Sequence, residues 1–273
     1  MESVILKPEA GPALADARLQ LHHAVQLATA AGISYLQPKP DDSHTNLEWL
    51  TSSGMLASNV IPAATPFRVA VRAADLTLAV LSGNNTPLAE VPLNGRSIDQ
   101  AAIWVKARLE QIGVDPARYT LKRHYEIPGH RVATGAPFDW SNTQAFMQIA
   151  AWFATASRAL EHVRQSNDNV SETRCWPHHF DIAVLIEVGP ARTVGVGMEP
   201  GDVYYDEPYF YVNAYPQPEA PDVPLAGQGT WHTHEWIGAV LPISRLTSST
   251  ARDDIRAFLD SAIEALKPAG RMV

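Results

Sequence analysis

The sequence has very little cysteine, since Cys175 is the only one in 273 residues. A single thiol excludes a disulfide within the chain and any zinc site built from several cysteines. We therefore expect a reducing compartment, the cytoplasm. Three recurrent active-site motifs are also missing. The chain has no GxSxG elbow, no GxxxxGK[ST] loop and no helical HExxH, which argues against an α/β serine hydrolase, a nucleotide-phosphate loop and a zincin.

Positive charge is scarce as well. The 21 Lys and Arg residues are outnumbered by 29 Asp and Glu residues, the formal net charge is −8, and no basic cluster occurs. Nucleic acid and anionic membranes are therefore not the partners that we expect. No run of about 18 apolar residues is present to span a bilayer. Residues 1–8 carry neither a basic head nor an apolar signal core, so we expect a soluble protein.

What the chain does contain is an ordinary globular composition, with 46% hydrophobic and 18% charged residues. Caps and helical periodicity predict helices at 12–31, 98–112, 141–165 and from 249 onwards, with β-rich runs and turn residues between them. The order helix, strands, helix thus occurs twice. It predicts an α+β fold in which helices pack on one face of antiparallel sheets, with a pseudo-repeat of two halves as a hypothesis.

The predicted halves are residues 1–113 and 139–273, joined by a connecting segment at 114–138. This segment contains Pro116, Pro128 and Pro137 and only short extended pieces. Such a composition is typical of a boundary between two parts of a chain. We expect the two helix–strands–helix halves to form one compact structural unit.

The stretch 174–188, RCWPHHFDIAVLIEV, joins a polar head to an apolar run that is typical of a buried strand. The alternation of a strand would place His179 and Asp181 on one face. His232 and His234 have the same spacing just before the last predicted strand. Two neighbouring strands that present His and Asp in this way could hold Zn²⁺, Mn²⁺ or Fe²⁺. Alternatively, these histidines hydrogen-bond to tyrosines and backbone at the end of a sheet.

Three other segments carry candidates for binding a ligand. The polar loop 37–46 either reaches the same cleft or caps a neighbouring helix or strand. The segments 204–211 and 231–236 are rich in aromatic and acidic residues, and they either line a pocket or form the edge of a core. The ligand-binding candidates are Asp42, His44, Tyr204, Tyr205, Tyr211, Trp231 and Trp236.

These residues support three functional hypotheses. In the first, the chain is a metal-dependent hydrolase that activates a metal-bound water, with Glu235 or Glu207 as the base. In the second, it is a metal-free module that binds a small polar or aromatic molecule in an aromatic pocket. In the third, it is a structural or interaction protein that forms homo-oligomers through its aromatic strand or an amphipathic helix. The candidate metal ligands are His179, Asp181, His232 and His234, and the first hypothesis uses His179, Asp181 and His234.

Three segments resemble a family of bacterial proteins. They are PDDSHTN at 40–46, WPHHFD at 176–181, and PGD at 200–202 followed by DEPYFY at 206–211. In this order, and over most of its length, the chain is similar to the uncharacterised bacterial family catalogued as domain of unknown function 5996. The Phe-Asp strand followed by the Gly-Asp and Pro-Tyr-Phe-Tyr segments is the most specific part. The resemblance implies a shared fold and a soluble bacterial protein, and it implies no activity.

Overall fold

The computed structural model describes residues 11–219, 221–247 and 249–267. The expectation that residues 1–8 carry no signal peptide concerns residues outside this range. Residues 268–273, at the end of the second predicted half, also lie outside it. In the described residues the chain forms four α-helices, α1 (Pro12–Tyr35), α2 (Ile98–Gln111), α3 (Thr143–Ser166) and α4 (Ala251–Leu266).

The described residues also form eleven β-strands. The pairings between neighbouring strands within each of the two units defined below are antiparallel. This arrangement confirms the predicted α+β class with helices packed on antiparallel sheets. The strands are β1 (Leu47–Leu50), β2 (Met55–Ser58), β3 (Phe67–Arg72), β4 (Thr77–Ser82), β5 (Pro87–Pro92), β6 (Arg174–Trp176), β7 (Asp181–Gly189), β8 (Arg192–Glu199), β9 (Tyr209–Tyr215), β10 (Thr230–His232) and β11 (Gly238–Pro242).

The chain divides into two compact units, neither of which is continuous in sequence. The first unit contains Gly11–Ala150 and Arg174–Phe180, and the second contains Ala151–Thr173 and the described part of Asp181–Val273. The connecting segment 114–138 lies within the first unit. It forms two short 3-10 helices there, Pro116–Arg118 and Arg131–Thr134.

In the first unit the strands follow the order β6-β1-β2-β3-β4-β5, and α1 packs on β2 and β3. Every residue of α1 from Gln20 to Gly32 is buried. Because this part of the helix is buried all round, its polar side chains need partners inside the protein. Gly32 lets the polar loop approach closely, since a Cβ there would lie 2.3 Å from the carbonyl oxygen of His44.

The start of α2 has the capping box that the sequence predicts. The Ser97 Oγ accepts a hydrogen bond from the Gln100 backbone N–H at 3.3 Å, and the Gln100 Oε1 accepts one from the Ser97 backbone N–H at 2.9 Å. These two bonds satisfy amide groups that a helix leaves without internal partners. The helix ends at Gln111, two residues before Gly113 adopts a positive φ of 77°.

In the second unit the strands follow the order β10-β11-β9-β8-β7. The helix α4 packs on β8, β9 and β11. Trp152 of α3 meets Phe210 of β9 edge to face, with ring centroids 6.5 Å apart. Because side chains alternate along a strand, the odd-numbered residues of β9 lie on the opposite face from Phe210. That opposite face carries most of the predicted site residues of this unit.

Glycines make room on this opposite face of the second unit. Gly197 of β8 lies opposite Tyr211 of β9, and Gly195 lies opposite Asn213. A Cβ on Gly197 would lie 2.6 Å from the Tyr211 hydroxyl oxygen, and one on Gly195 would lie 2.5 Å from the Asn213 Oδ1. The β9 side chains therefore lie across β8 in the space that a larger residue would fill.

None of the helices in the described ranges has both the length and the hydropathy that crossing a bilayer requires.

Candidate functional site

The two histidine pairs do not lie on strand faces as the spacing predicted. Residues 177–180 form a turn, and β7 begins only at Asp181. Phe180 has a φ of 75°, so the alternation between His179 and Asp181 is broken. In the same way β10 ends at His232, and Glu235 in the turn that follows has a φ of 68°. The expectation that each pair lies on one strand face is therefore wrong: the left-handed conformation of Phe180 separates His179 from Asp181, and His234 lies beyond the end of β10.

An aromatic cluster forms in the second unit from Tyr204, Tyr205, His232 and Trp236. The rings of His232 and Trp236 are stacked, with centroids 4.3 Å apart and planes inclined by 27°. Tyr204 meets both rings edge to face, at 5.4 and 6.4 Å. Tyr205 lies 5.7 Å from His232. The structure thus brings together four residues that the sequence predicted for a site.

The hydrogen bonds of His232 determine the tautomer of its neutral ring. Its Nε2 lies 2.7 Å from the backbone oxygen of His234, and its Nδ1 lies 2.9 Å from the Tyr205 hydroxyl. A carbonyl oxygen only accepts, so Nε2 donates and Nδ1 accepts from the tyrosine. Both nitrogens are therefore engaged. A metal ion could bind this imidazole only if one of the two hydrogen bonds were broken.

Glu235 provides a carboxylate at the edge of the aromatic cluster. The Tyr204 hydroxyl donates to Glu235 Oε2 at 2.7 Å. This hydrogen bond raises the pKa of Tyr204 above its ordinary value, with smaller contributions from desolvation and from the charge of Glu235. The phenol therefore stays protonated at neutral pH. Both side chains are exposed, so the pair is accessible to a ligand from solvent.

Three other predicted residues of the second unit have different surroundings. Both carboxylate oxygens of Glu207 accept hydrogen bonds from Ser244, one from its backbone N–H at 2.7 Å and one from its hydroxyl at 2.6 Å. The indole N–H of Trp231 donates to the Val223 carbonyl at 2.8 Å. His234 is exposed, and its backbone oxygen accepts the bond from His232. Glu207 and Trp231 thus hold neighbouring loops in place.

Two tyrosine–carboxylate pairs, each partly buried, extend from the aromatic cluster along the opposite face of the sheet. The Tyr211 hydroxyl donates to Asp181 Oδ2 at 2.5 Å, and the Tyr209 hydroxyl donates to Asp202 Oδ2 at 2.7 Å. Asp181 is only 6% exposed. Burial, followed by the charge of nearby carboxylates, raises the pKa of both tyrosines far above the ordinary value. The ring centroids of Tyr205 and Tyr209 are 4.6 Å apart, so these pairs adjoin the aromatic cluster.

In the first unit, α1 holds the turn that carries His178 and His179. His22 Nε2 and Gln26 Nε2 each lie 2.9 Å from the Pro177 carbonyl oxygen. The His22 ring also stacks on the ring of Phe180, the residue with positive φ, with centroids 5.2 Å apart. Burial, offset in part by the bond to Pro177, lowers the pKa of His22 to about 3.

The rings of His178 and His179 meet edge to face at 4.4 Å. Burial, and then the neighbouring His179, lower the pKa of His178 to about 4. The imidazole of His178 is therefore neutral at pH 7. The turn thus presents an uncharged histidine next to His179.

Asp42 and His44 are placed by the polar loop of the first unit. Asp42 Oδ2 lies 2.9 Å from His124 Nε2. His44 Nδ1 accepts a hydrogen bond from the Lys39 backbone N–H at 3.2 Å. The sequence did not predict His124, because it lies 82 positions from Asp42 and no local spacing connects the two. Its single local signal was a histidine beside a tyrosine in the connecting segment.

A groove of about 500 Å³ in the second unit contains none of the predicted site residues. Its lining includes Arg192, Tyr215 and Lys267. Tyr215 ends β9, whereas Tyr209 beside the aromatic cluster begins it. The groove and the aromatic cluster are therefore separate features of this unit, and the convergent hydrogen bonds belong to the aromatic cluster.

Within the described part of the chain, no group of three or more His, Cys, Asp or Glu residues is arranged to hold a metal ion. His179 belongs to the first unit, and Asp181, His232 and His234 belong to the second. Metal binding by these four residues stays a prediction.

Comparison with known proteins found no matching family model, no matching curated protein and no matching solved structure. The resemblance to the bacterial family named above also stays a prediction.

Proposed function

We propose that the second unit binds a small polar or aromatic molecule at the aromatic cluster without a metal ion. The observation that carries this proposal is that the His232 ring is held in one fixed position. Its ring is stacked on Trp236 at 4.3 Å, and both of its nitrogens are held by hydrogen bonds. Rings that are already fixed lose little conformational freedom when a flat ligand packs against them.

The exposed pair of Tyr204 and Glu235 gives this site a polar side. Tyr204 is 38% exposed, and its hydroxyl is 2.7 Å from the Glu235 carboxylate. A ligand N–H or O–H could donate to the same carboxylate while its flat part contacts the rings. Small-molecule sites typically combine an apolar wall with a few placed polar groups of this kind.

The metal-dependent hydrolase has less support from the geometry. A metal site that includes His232 would break one of its two hydrogen bonds. Either candidate base would have to leave its partner, Glu235 leaving Tyr204 or Glu207 leaving Ser244. Each change leaves a donor or acceptor without its partner, which costs free energy. The metal-free site therefore is the hypothesis that we favour. Homo-oligomer formation, a cytoplasmic location and a bacterial origin stay predictions.

A thermal-shift screen of flat metabolites, with and without a chelator, tests the proposal. We expect a ligand that raises the melting temperature equally in both conditions and that quenches tryptophan fluorescence. Tyr204→Phe removes the hydroxyl that holds the Glu235 carboxylate in place, and a loss of about 1 kcal/mol in ligand binding should raise the Kd about fivefold. Tyr215→Phe is the matched control, because Tyr215 is exposed at the far end of β9.

Three results would count against the proposal. They are a broad screen without a ligand, binding that the chelator abolishes, and binding that Tyr204→Phe and Trp236→Leu both leave unchanged. A comparable loss of affinity in Tyr215→Phe would place the binding site elsewhere.

A further inference from the structure

The hydrogen bond between Asp42 and His124 in the first unit has no part in the proposed function. The two side chains are 43% and 50% exposed, and Asp42 Oδ2 lies 2.9 Å from His124 Nε2. A carboxylate accepts hydrogen bonds, so in the neutral ring the proton is on Nε2 and Nδ1 has a free electron pair. Within the described residues no hydrogen bond occupies this Nδ1. The pair is therefore an imidazole base with a fixed tautomer and access to water.

The backbone holds Asp42 in position for this contact. Its φ is 57°, a left-handed conformation that Asp adopts more readily than most residues. Its carbonyl oxygen accepts two hydrogen bonds from Thr45, one from the backbone N–H and one from the hydroxyl, both at 2.9 Å. The loop thus orients the carboxylate toward a histidine from a distant segment. An oriented His–carboxylate pair is the arrangement that proton-transfer sites use.

An aromatic surface adjoins the pair. The Tyr125 ring meets the His124 ring edge to face at 5.1 Å, and the His178 ring lies 5.7 Å from the Tyr125 ring. The Tyr125 hydroxyl donates to the Gln26 side chain at 2.9 Å, so this ring is fixed to α1. Trp176 lies 6.1 Å from His178. These rings favour a flat apolar group.

We propose that Asp42 and His124 form a general-base site that hydrolyses uncharged esters with an aromatic group. His124 Nδ1 accepts a proton from a water molecule, and the water oxygen forms a bond to the ester carbonyl carbon. The tetrahedral intermediate collapses, the bond to the alcohol oxygen breaks, and that oxygen takes the proton back from Nδ1. The carboxylic acid product releases its own proton to solvent. Asp42 is a positioning residue, because its carboxylate orients the ring and stabilises the imidazolium.

Hydrolysis of p-nitrophenyl acetate by the full chain tests this inference. We expect a saturable rate that falls about 100-fold in His124→Ala, since a positioned general base contributes on this scale. Imidazole added to the solution should restore part of the His124→Ala rate, which it would not do for a purely structural residue. Asp42→Asn should lower the rate by about tenfold or more, and Asp42→Glu should retain part of it.

His162→Ala is the matched control. His162 also lies near a carboxylate, with its Nε2 3.7 Å from Asp260 Oδ1, but it belongs to the second unit. Its rate should equal that of the parent. If His124→Ala changes the melting temperature, His124→Gln replaces it.

Three outcomes would overturn the inference. They are no saturable hydrolysis by the parent, an unchanged rate in both folded His124 variants, and an equal fall in His162→Ala. None of them depends on ligand binding at the aromatic cluster, so this inference and the proposed function fail separately.

Discussion

At the scale of single residues, His22, one of the two buried histidines of α1, makes the stability of the first unit sensitive to acid. His22 is 4% exposed, and burial lowers its pKa to about 3, well below the ordinary value of 6.5. The unfolded chain therefore takes up a proton below pH 6.5 that the folded chain does not. Stability contributed by the neutral ring is complete above pH 6.5 and is lost as the pH falls from there toward 3.

We therefore expect the free energy of unfolding to fall by about 2 kcal/mol between pH 7 and pH 5 through His22 alone. Urea unfolding at the two pH values measures this loss. His22→Gln keeps a donor for the Pro177 carbonyl and should remove this share of the pH dependence, whereas the control His162→Gln, a partly exposed histidine of the second unit, should not. Equal pH dependence in the parent and in His22→Gln would show that other groups cause the acid sensitivity.

At the scale of strands and helices, local rules predicted most elements because caps, turns and periodicity act over a few residues. The capping box of Ser97 and Gln100 is an example. The same rules failed at His179 and Asp181, where Phe180 leaves the β conformation and stacks on His22 of a distant helix. No local pattern encodes that contact.

Packing between β8 and β9 gives a prediction for a whole strand pair. A Cβ on Gly197 would lie within 2.7 Å of three atoms of the Tyr211 ring and hydroxyl, closer than atoms can approach. Gly197→Ala should therefore displace Tyr211 from Asp181 and lower the free energy of unfolding by about 1–3 kcal/mol. Gly129→Ala is the control, because a Cβ there meets no atom within 4 Å.

Circular dichroism melts of the two glycine variants and the parent provide the measurement. Equal melting temperatures for Gly197→Ala and Gly129→Ala would mean that β8 and β9 can separate without loss, contrary to the tight contact. A loss that Tyr211→Leu relieves in the double variant would locate the clash at this ring.

At the scale of the whole molecule, prolines and turn residues predicted a boundary at 114–138, whereas each compact unit combines segments that are distant in sequence. The first unit includes Arg174–Phe180 because the Pro177 carbonyl binds His22 and Gln26 of α1. Membership of a unit depends on contacts between distant segments. The candidate sites have the same origin, since Asp42 and His124 are 82 positions apart and Tyr204 and Glu235 are 31 apart.

Metal content decides between the two functional hypotheses for the whole chain. Because both nitrogens of His232 are engaged, we expect tag-free purified protein to contain transition metal far below one equivalent and to keep its ligand-induced stabilisation after chelation. Elemental analysis beside a His179→Ala/His234→Ala variant of equal helix content provides the measurement. Near-stoichiometric Zn, Mn or Fe in the parent and none in the variant would contradict the metal-free site, because the loss would identify His179 and His234 as ligands of the metal. The hydrogen bonds of His232 would in that case have to rearrange when the metal binds, and Tyr205→Phe, which leaves Nδ1 without its donor, should increase metal affinity.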